Sequence, residues 1–336
     1  MLAEKYFDMN NSVASQRRSP LAHASSTLSQ PGTCIWVVVV AYQRDEELSR
    51  LLVKLQEQYL SISGVVVVDN ASQTSTAQLS AAHGVHYIGS KRNLGGAGGF
   101  SLGIMTALAR GADYVWLWDD DGFPENQFCL HELYSAARNY KADLVAPLVV
   151  SDADPQRAAF AFRLNGKRVM RRDDIQQFKV IQSFVHLFNG ALLRADCFER
   201  YGLPDYRYFI RGDEVDFMFR LVRAGATVLT YTGAVARHPS GEGEVKALPG
   251  LPFGVNVPHC ETRREITFRN RAQNFLRHRK WILALSDHLR YGIYFLARSK
   301  PDFDGYRRWL SATMQGYRGH IGRQHAGPDS KELKNS

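Results

Sequence analysis

Apolar residues fall along the chain in short β-branched runs separated by segments of helical period. IWVVVVA at 35–41 is unbroken by any polar residue, the pattern of a strand buried on both faces of a parallel sheet. Leu48, Leu51, Leu52 and Leu55 follow at helical spacing. GVVVVDNAS at 64–72 repeats the strand pattern and ends in Asp69-Asn70, and VHYIGS at 85–90 predicts a third, shorter strand. NLGGAGGF then predicts a glycine-rich loop, a helix from about residue 100 to 110, and a strand, YVWLW, that runs into three successive aspartates. DLVAPLVV at 143–150 predicts another strand, whereas 151–182 are more polar and carry no clear period. FVHLFNGALLRADCFERYGLP and YFIRGDEVDFMFRLVRAGATVLTYTGAVARH add a loop, a helix beginning near an acidic cluster, and a strand ending at His238. Strand and helix alternate, so the expected fold class is α/β, with a mostly parallel central sheet and right-handed crossovers. Such sheets gather ligand-binding loops beyond the carboxyl ends of their strands.

The C-terminal part has a different pattern. Ile282, Leu285, Leu289, Ile293 and Leu296 define an amphipathic helix, with Arg277, Arg279, Lys280, Arg290, Arg298, Lys300, Arg307 and Arg308 around it and Trp281, Tyr291, Tyr294 and Trp309 interleaved. The chain carries a net charge of +9, and residues 270–323 hold eleven Lys and Arg against three Asp. A basic, aromatic helix of this kind lies on an anionic membrane surface, or packs on the body with its charges solvated. Nucleic acid is not expected as a partner, because none of the recognition motifs is present.

The longest apolar run, 34–41, is far short of the roughly 20 residues that span a bilayer. Residues 1–33 are rich in Ser and Ala and lack the apolar core of a secretory signal, so a disordered tail is expected there and again at 326–336. Between the tails the pattern divides into a catalytic α/β region, 34–265, and a helical, membrane-associating region, 266–325. A cytoplasmic protein attached peripherally to the membrane is the corresponding expectation, and a homo-oligomer is compatible with it. Cys34, Cys129, Cys197 and Cys260 are widely spaced with no CxxC pair, which argues for inert thiols rather than disulfides or a metal site.

Three strand ends carry chemistry. Asp119 and Asp121 in WDDDG form a DxD pair, two carboxylates able to share a divalent cation, Mn²⁺ or Mg²⁺, that bridges to phosphate oxygens. The alternative is a turn or helix cap, which Gly122 and Pro124 would also suit. The glycine segment with Gly95, Gly96, Gly98 and Gly99 fits neither GxGxxG nor GxxxxGK[ST]. It offers close backbone approach to a diphosphate or sugar, or else tight packing of helix on strand. Asp213, Glu214 and Asp216 in RGDEVDF supply a candidate general base or simply favourable charge at a helix N-terminus. His238, at a strand end, is a candidate metal ligand through a neutral imidazole nitrogen.

VVVVAYQR, VVVDNAS, RNLGGAGGF, LWDDDG, FNGALLR, FIRGDEVDF and RHPSG, in this order, resemble the inverting glycosyltransferases of family 2, with their GT-A nucleotide-sugar-binding fold. Within that family the likeness is to the mycobacterial-type galactofuranosyltransferases that begin a galactan on a rhamnosyl-GlcNAc-diphosphoryl-polyprenol, and it spans roughly residues 34 to 310. The resemblance implies a UDP-galactofuranose donor, a polyprenyl-diphosphate-linked acceptor and docking on the inner leaflet. A dTDP-sugar rhamnosyltransferase and a non-catalytic sugar-nucleotide-binding module are the rivals. It implies that Ala41, Tyr42, Arg44 and Asp69 hold the uridine. Arg92, Asn93, Gly95, Gly96, Asp119 and Asp120 would shape the donor pocket, and Asp119, Asp121 and His238 would hold the metal. Glu214 falls at the family's catalytic acid, where Asp is the commoner residue, so the base is either Glu214 or Asp213. Asn189, Gly190, Arg211 and Asp216 would face the acceptor.

Overall fold

The computed structural model describes residues 32–240, 242–248, 251, 254–297 and 300–322. The tails expected at 1–33 and 326–336 lie outside the described residues except for residues 32 and 33, and Arg298 also lies outside them.

Four parallel strands form the first half of the sheet: β1 (Ile35–Ala41), β2 (Gly64–Asp69), β3 (His86–Gly89) and β4 (Tyr114–Asp119), in the order β3-β2-β1-β4. Beyond β4 lie β10 (Asn189–Arg194), β6 (Leu144–Ser151), β11 (Val228–His238) and the short β5 (Phe123–Pro124). β10 runs antiparallel to both of its neighbours, so β6 and β11 run in the same direction as β4. The register fixes the functional edge: Ala41 sits beside Asp69, and Val40 beside Asp119.

Burial accounts for the unbroken valine runs. One face of the sheet packs on α1 (Asp45–Gln56), through Leu48, Leu51, Leu52 and Leu55, and on α4 (Cys129–Asn139). The other face packs on α3 (Gly95–Ala109) and on α7 (Asp213–Arg223), with Val38, Phe100, Ile104, Phe217 and Leu221 buried between them. Small α2 (Thr74–Ala82) and α6 (Asp196–Tyr201) complete the crossovers. The polar stretch 151–182 forms a hairpin, β7 (Arg157–Leu164) and β8 (Lys167–Arg171), then α5 (Arg172–Gln176) and the edge strand β9 (Val180–Gln182).

Two sequence expectations change. The helix after RNLG begins at Gly95, not near residue 100, so the glycines are its first turns rather than a loop. FNGALLR is a strand, β10, that the pattern did not show.

After a small hairpin, β12 (Val245–Ala247) and β13 (Gly254–Asn256), come α8 (Glu261–Arg277), α9 (Trp281–Leu296) and α10 (Phe303–Tyr317). Gly316 lets α10 approach the backbone of α8, since a side chain there would meet the Arg269 carbonyl. A buried Arg271–Asp287 ion pair ties α8 to α9. α9 packs inward through Leu283, Ala284, Asp287, Tyr291 and Phe295. The apolar stripe read from the sequence divides: Ile282, Leu285 and Leu289 are on the other side, 68%, 73% and 63% exposed, while Ile293 and Leu296 are half-buried against the core that α9 shares with α8 and α10. Among the described residues no helix is long and apolar enough to cross a membrane.

Candidate active site

The three aspartates at the end of β4 take three different partners. Asp120, only 4% exposed, accepts from the Tyr42 amide at 2.8 Å and from Arg44 Nη1 at 3.1 Å, which fastens the loop after β1 to the end of β4. Asp121 receives the same Arg44 nitrogen at 2.7 Å on one oxygen and lies 3.0 Å from His238 Nε2 on the other. Asp119 stands at the sheet edge with both neighbours' charges upon it. Removal from water, then the Asp121 and Asp120 charges, push its carboxyl well above the usual range. Burial pushes Asp120 up to about 7 against the pull of Arg44. Burial acts on Asp121 in the same sense, but His238 and Arg44 outweigh it and hold that group at about 2. His238 is raised: burial would lower it, and Asp121 more than compensates.

This corner suits a divalent cation. His238 Nδ1 donates to the Pro239 carbonyl at 2.7 Å, the arrangement that fixes a ligating imidazole and turns the lone pair of Nε2 outward. Nε2 faces Asp121 Oδ1, a buried oxygen with no other hydrogen-bond donor among the described residues, through a proton that a cation bound between the two would displace. No three His, Cys, Asp or Glu side chains are gathered as a ready-made cage among the described residues. Mg²⁺ and similar ions are usually held by one or two carboxylates plus substrate phosphates and water, so two or three protein ligands are enough.

Other buried polar atoms near this edge also lack partners among the described residues. They are Trp118 Nε1, His186 Nε2, Asn189 Oδ1 and Asp213 Oδ2. Buried unsatisfied groups are rare in folded proteins, and their grouping marks a place where a polar ligand completes the bonding. Asn189 pairs with Trp118 across β10 and β4, so both orphans lie at one point of the sheet. Gly190 serves the fold instead: its carbonyl accepts from the Trp116 indole, and a side chain on it would strike Trp118.

The glycine segment divides in the same way. Gly95 has φ +70 and faces the Phe209 carbonyl so closely that no side chain fits. Gly99 and Gly103 press α3 against Val40 and Val38 of β1. Gly96 alone of the first turn has nothing within 4 Å, and it is the backbone a ligand can approach. Direct donor contact by Gly95 is therefore corrected in favour of packing. Asn93 caps the Gly95 amide at 2.8 Å, and Asn70 bonds both Leu94 and Gly95. Arg92 is exposed beyond β3. Asp69 is fully buried, accepting from the Ala71 and Gln73 amides and the Tyr87 hydroxyl, so it shapes the turn after β2, and contact with a base would have to compete with these bonds.

RGDEVDF is held under constraint. Phe209 and Arg211 have φ of 67 and 64, a left-handed backbone that is costly for residues with side chains. Asn270 of α8 holds this loop: its side-chain amide donates to the carbonyls of Tyr208, Ile210 and Arg211 at 2.9, 2.9 and 2.8 Å. Asn274 donates to the Gly212 carbonyl and accepts from the Tyr208 hydroxyl. Arg211 forms a two-pronged pair with Glu244 at 2.6 and 2.8 Å and so ties the segment at 242–248 to the same loop.

At the start of α7, Asp213 is buried and Glu214 accepts from the Gly212 amide at 2.8 Å. Burial, then the charge and hydrogen bond of Glu214, drive the Asp213 carboxyl well above its usual range, and Asp119 adds to the effect from across the crevice. The loop before α7 is also packed on the first turn of α3, where the Phe209 carbonyl accepts from the Ala97 amide. That turn is bonded to Asn70 at the end of β2, so the second acidic cluster lies on the same side of the molecule as the strand ends. Asp216 does not join them. It is wholly buried against His278 at 2.9 Å, Arg220 at 3.0 Å and Arg277 at 3.3 Å, so its expected place facing the acceptor is corrected: it anchors α7 to α8.

Sequence reasoning missed Arg263, Asn270 and Asn274. Arg263 is near enough to Arg44 and Arg211 for their charges, after burial, to lower its pKa. Spacings of seven and four put the three on one face of α8, a signal present in ETRREITFRNRAQN. Asn270→Ala would strand loop carbonyls, so we expect a stability loss of about 1–3 kcal/mol in urea unfolding, with kcat falling more than KM rises. A fall in stability with kcat unchanged would show that the loop's conformation does not matter to turnover.

Residues 36–202 match Glycosyl transferase family 2. The chain is 39% identical over 292 residues to galactofuranosyltransferase GlfT1 of Mycolicibacterium smegmatis, covering 84% of this chain and 96% of that protein. It is 27% identical over 301 residues to the dTDP-rhamnosyl transferase RfbF of Shigella flexneri, covering 86% and 97%. Among solved structures, GalNAc-T7 with UDP, GalNAc and Mn²⁺ superposes with a TM-score of 0.53 at 13% identity, covering 72% of this chain and 47% of that one, a likeness of fold.

Proposed function

The chain belongs to glycosyl transferase family 2, and on that premise we propose that it transfers galactofuranose from UDP-galactofuranose to a polyprenyl-diphosphate-linked glycan, inverting the anomeric carbon, at the cytoplasmic face of a membrane. The observation that carries the reading is that the loop leading to Asp213 and Glu214 is packed on the first turn of α3, beside the strand ends that carry Asp69 and Asp119–Asp121, with Asp119 acting on Asp213. Overall similarity supports the choice of sugar, being higher to the galactofuranosyl than to the rhamnosyl relative.

In this reading the loop at Ala41, Tyr42 and Arg44, pinned by Asp120, receives the nucleotide, and Gly96 gives the diphosphate room. Asp121 and His238, with Asp119 beside them, would hold a divalent cation that offsets charge on the diphosphate as UDP departs. Glu214 takes the proton from the acceptor hydroxyl. Asp213, whose carboxyl is pushed well above its usual range by burial and then by the charge and hydrogen bond of Glu214, would stand beside it as the neutral member of the pair. The oxygen then attacks the anomeric carbon opposite the leaving diphosphate, and inversion follows. Asn189 and Arg211 border the side left for the acceptor.

The test is incubation of the protein and Mn²⁺ with either UDP-galactofuranose or a dTDP-rhamnose donor and a polyprenyl-diphosphate disaccharide, with product configuration read by NMR. Inverted transfer from the UDP donor is expected, and transfer from the dTDP donor alone would contradict the reading. No transfer from either, with nucleotide still bound, would favour a non-catalytic module.

The outward stripe of α9, with Trp281 at 57% exposure and Arg279 and Lys280 beside it, supports the membrane surface as a partner. Full burial of a leucine-sized side chain contributes about 1.5–3 kcal/mol. Replacing Ile282, Leu285 and Leu289 together by serine should therefore weaken sedimentation with anionic vesicles by well over about tenfold. Because the stripe is exposed, the fold should survive. Undiminished sedimentation would remove α9 from the docking surface.

A further inference from the structure

A cavity of about 330 Å³ opens between α8 and α10, on a different face of α8 from the one that holds the RGDEVDF loop. Small-molecule sites have volumes of about 300–1,000 Å³. It is lined by Arg269, Arg307 and Arg308, with Glu265, Thr262 and Ser311. Arg269 is 5% exposed. Its Nη1 donates to the Gly322 carbonyl at 2.7 Å and its Nε to Asn270 Oδ1 at 3.1 Å, while Nη2 is buried with no acceptor among the described residues. No carboxylate forms an ion pair with Arg269 among the described residues; half-buried Glu265, one turn earlier on α8, acts on it only from beyond ion-pair distance, and burial outweighs it. A guanidinium buried without a counter-ion is expensive, and a bound anion offsets that cost.

At the mouth, Arg308 pairs with Asp304 and Glu261, and Arg307 with Asp304. All these groups are 47% to 79% exposed, and exposed pairs of this kind are weak enough to exchange for a ligand. The same helix turns Phe303, Leu310 and Met314 outward, at 71%, 36% and 40% exposure. Phe303, Arg307, Leu310 and Met314 lie on successive turns along one side of α10, so a cation stands among hydrocarbon beside the cavity.

We propose that this cavity binds the phosphate of an anionic phospholipid headgroup, with Arg269 at its floor, Arg307 and Arg308 at its mouth, and the acyl chains beside Phe303, Leu310 and Met314. Arginine forks match phosphate oxygens in pairs, and Thr262 and Ser311 add hydroxyl donors. The proposal rests on the membrane-surface reading for its source of lipid but not on the identity of the donor sugar. It gives the enzyme a headgroup-specific contact where α9 supplies only apolar adhesion.

The test uses the full chain and dihexanoyl phosphatidylglycerol below its micelle concentration, titrated by calorimetry against inorganic phosphate and dihexanoyl phosphatidylcholine. Saturable binding of the phosphatidylglycerol is expected, about tenfold or more tighter than inorganic phosphate and tighter than the zwitterion. Arg269→Gln and, at an exposed position with little risk to the fold, Ser311→Glu should each weaken it by about tenfold. The triple serine variant of α9 should leave it unchanged. Undiminished affinity in Ser311→Glu, or inorganic phosphate bound as tightly as the lipid, would overturn the proposal. UDP affinity measured on the same samples keeps that failure distinct from failure of the donor site.

Discussion

Glu214→Gln should bind the nucleotide donor as the unaltered protein does and lose about 10²–10⁴-fold in kcat, the usual worth of a positioned general base. Glutamine keeps the size of the side chain and its bond to the Gly212 amide, so the loop stays in place and only the proton acceptor is removed. That range corresponds to about 3–5 kcal/mol of barrier. Asp213→Asn separates the two members of the pair. If Asp213 serves as a neutral hydrogen-bond donor to Glu214, the asparagine amide replaces it in kind and kcat falls far less than in Glu214→Gln. The reverse ranking, with Asp213→Asn the inactive variant, would assign the base to Asp213. Circular dichroism and UDP affinity on both variants distinguish loss of chemistry from loss of structure.

The second large effect is at the other cluster. Asp121→Ala should abolish the Mn²⁺-dependent part of UDP binding measured by calorimetry, because it removes the carboxylate that faces His238 Nε2 and pairs with Arg44 at 2.7 Å. Asp120→Ala should act differently. It breaks the bond to the Tyr42 amide and frees the loop after β1, so UDP binding should weaken with or without metal. An Asp121→Ala protein whose UDP affinity still rises on adding Mn²⁺ would show that the cation binds elsewhere.

The half of the sheet formed by β3, β2, β1 and β4 was legible because its central strands are buried on both faces. A run such as IWVVVVA has no other stable place, and the acids at the ends of such runs must collect on one edge. The glycines were harder. Glycine is among the poorest helix formers, so NLGGAGG reads locally as a loop; packing of Gly99 and Gly103 on β1 and of Gly95 on the Phe209 carbonyl overrides that preference. β10 escaped notice because Asn189-Gly190 resembles a turn, and the strand's antiparallel insertion between β4 and β6 is a long-range fact with no local signature. α9 illustrates a different limit. Period reveals an apolar stripe, but this helix has apolar residues on two sides, and only tertiary packing decides that Tyr291 and Phe295 turn inward while Leu285 and Leu289 face out.

Local pattern also cannot tell apart acids of one type. Asp119, Asp120 and Asp121 are adjacent and identical in chemistry, yet one fastens a loop, one faces a histidine and the charge of one acts on buried Asp213. In RGDEVDF, Asp216 is spent on His278, Arg220 and Arg277, which come from later in the chain. The division of labour depends on α8, which binds the RGDEVDF loop through Asn270 and Asn274 and so makes the C-terminal helices part of the same structural unit rather than an appendage.

Crystals of the protein grown with UDP and Mn²⁺ and measured at the manganese absorption edge test the divided site most directly. The account predicts an anomalous peak within about 2.0–2.3 Å of Asp121 and of His238 Nε2. The diphosphate should lie beside Gly96, with Glu214 across the crevice. A manganese peak away from Asp121 and His238, or a diphosphate on the far side of β4 from Asp213 and Glu214, would contradict it.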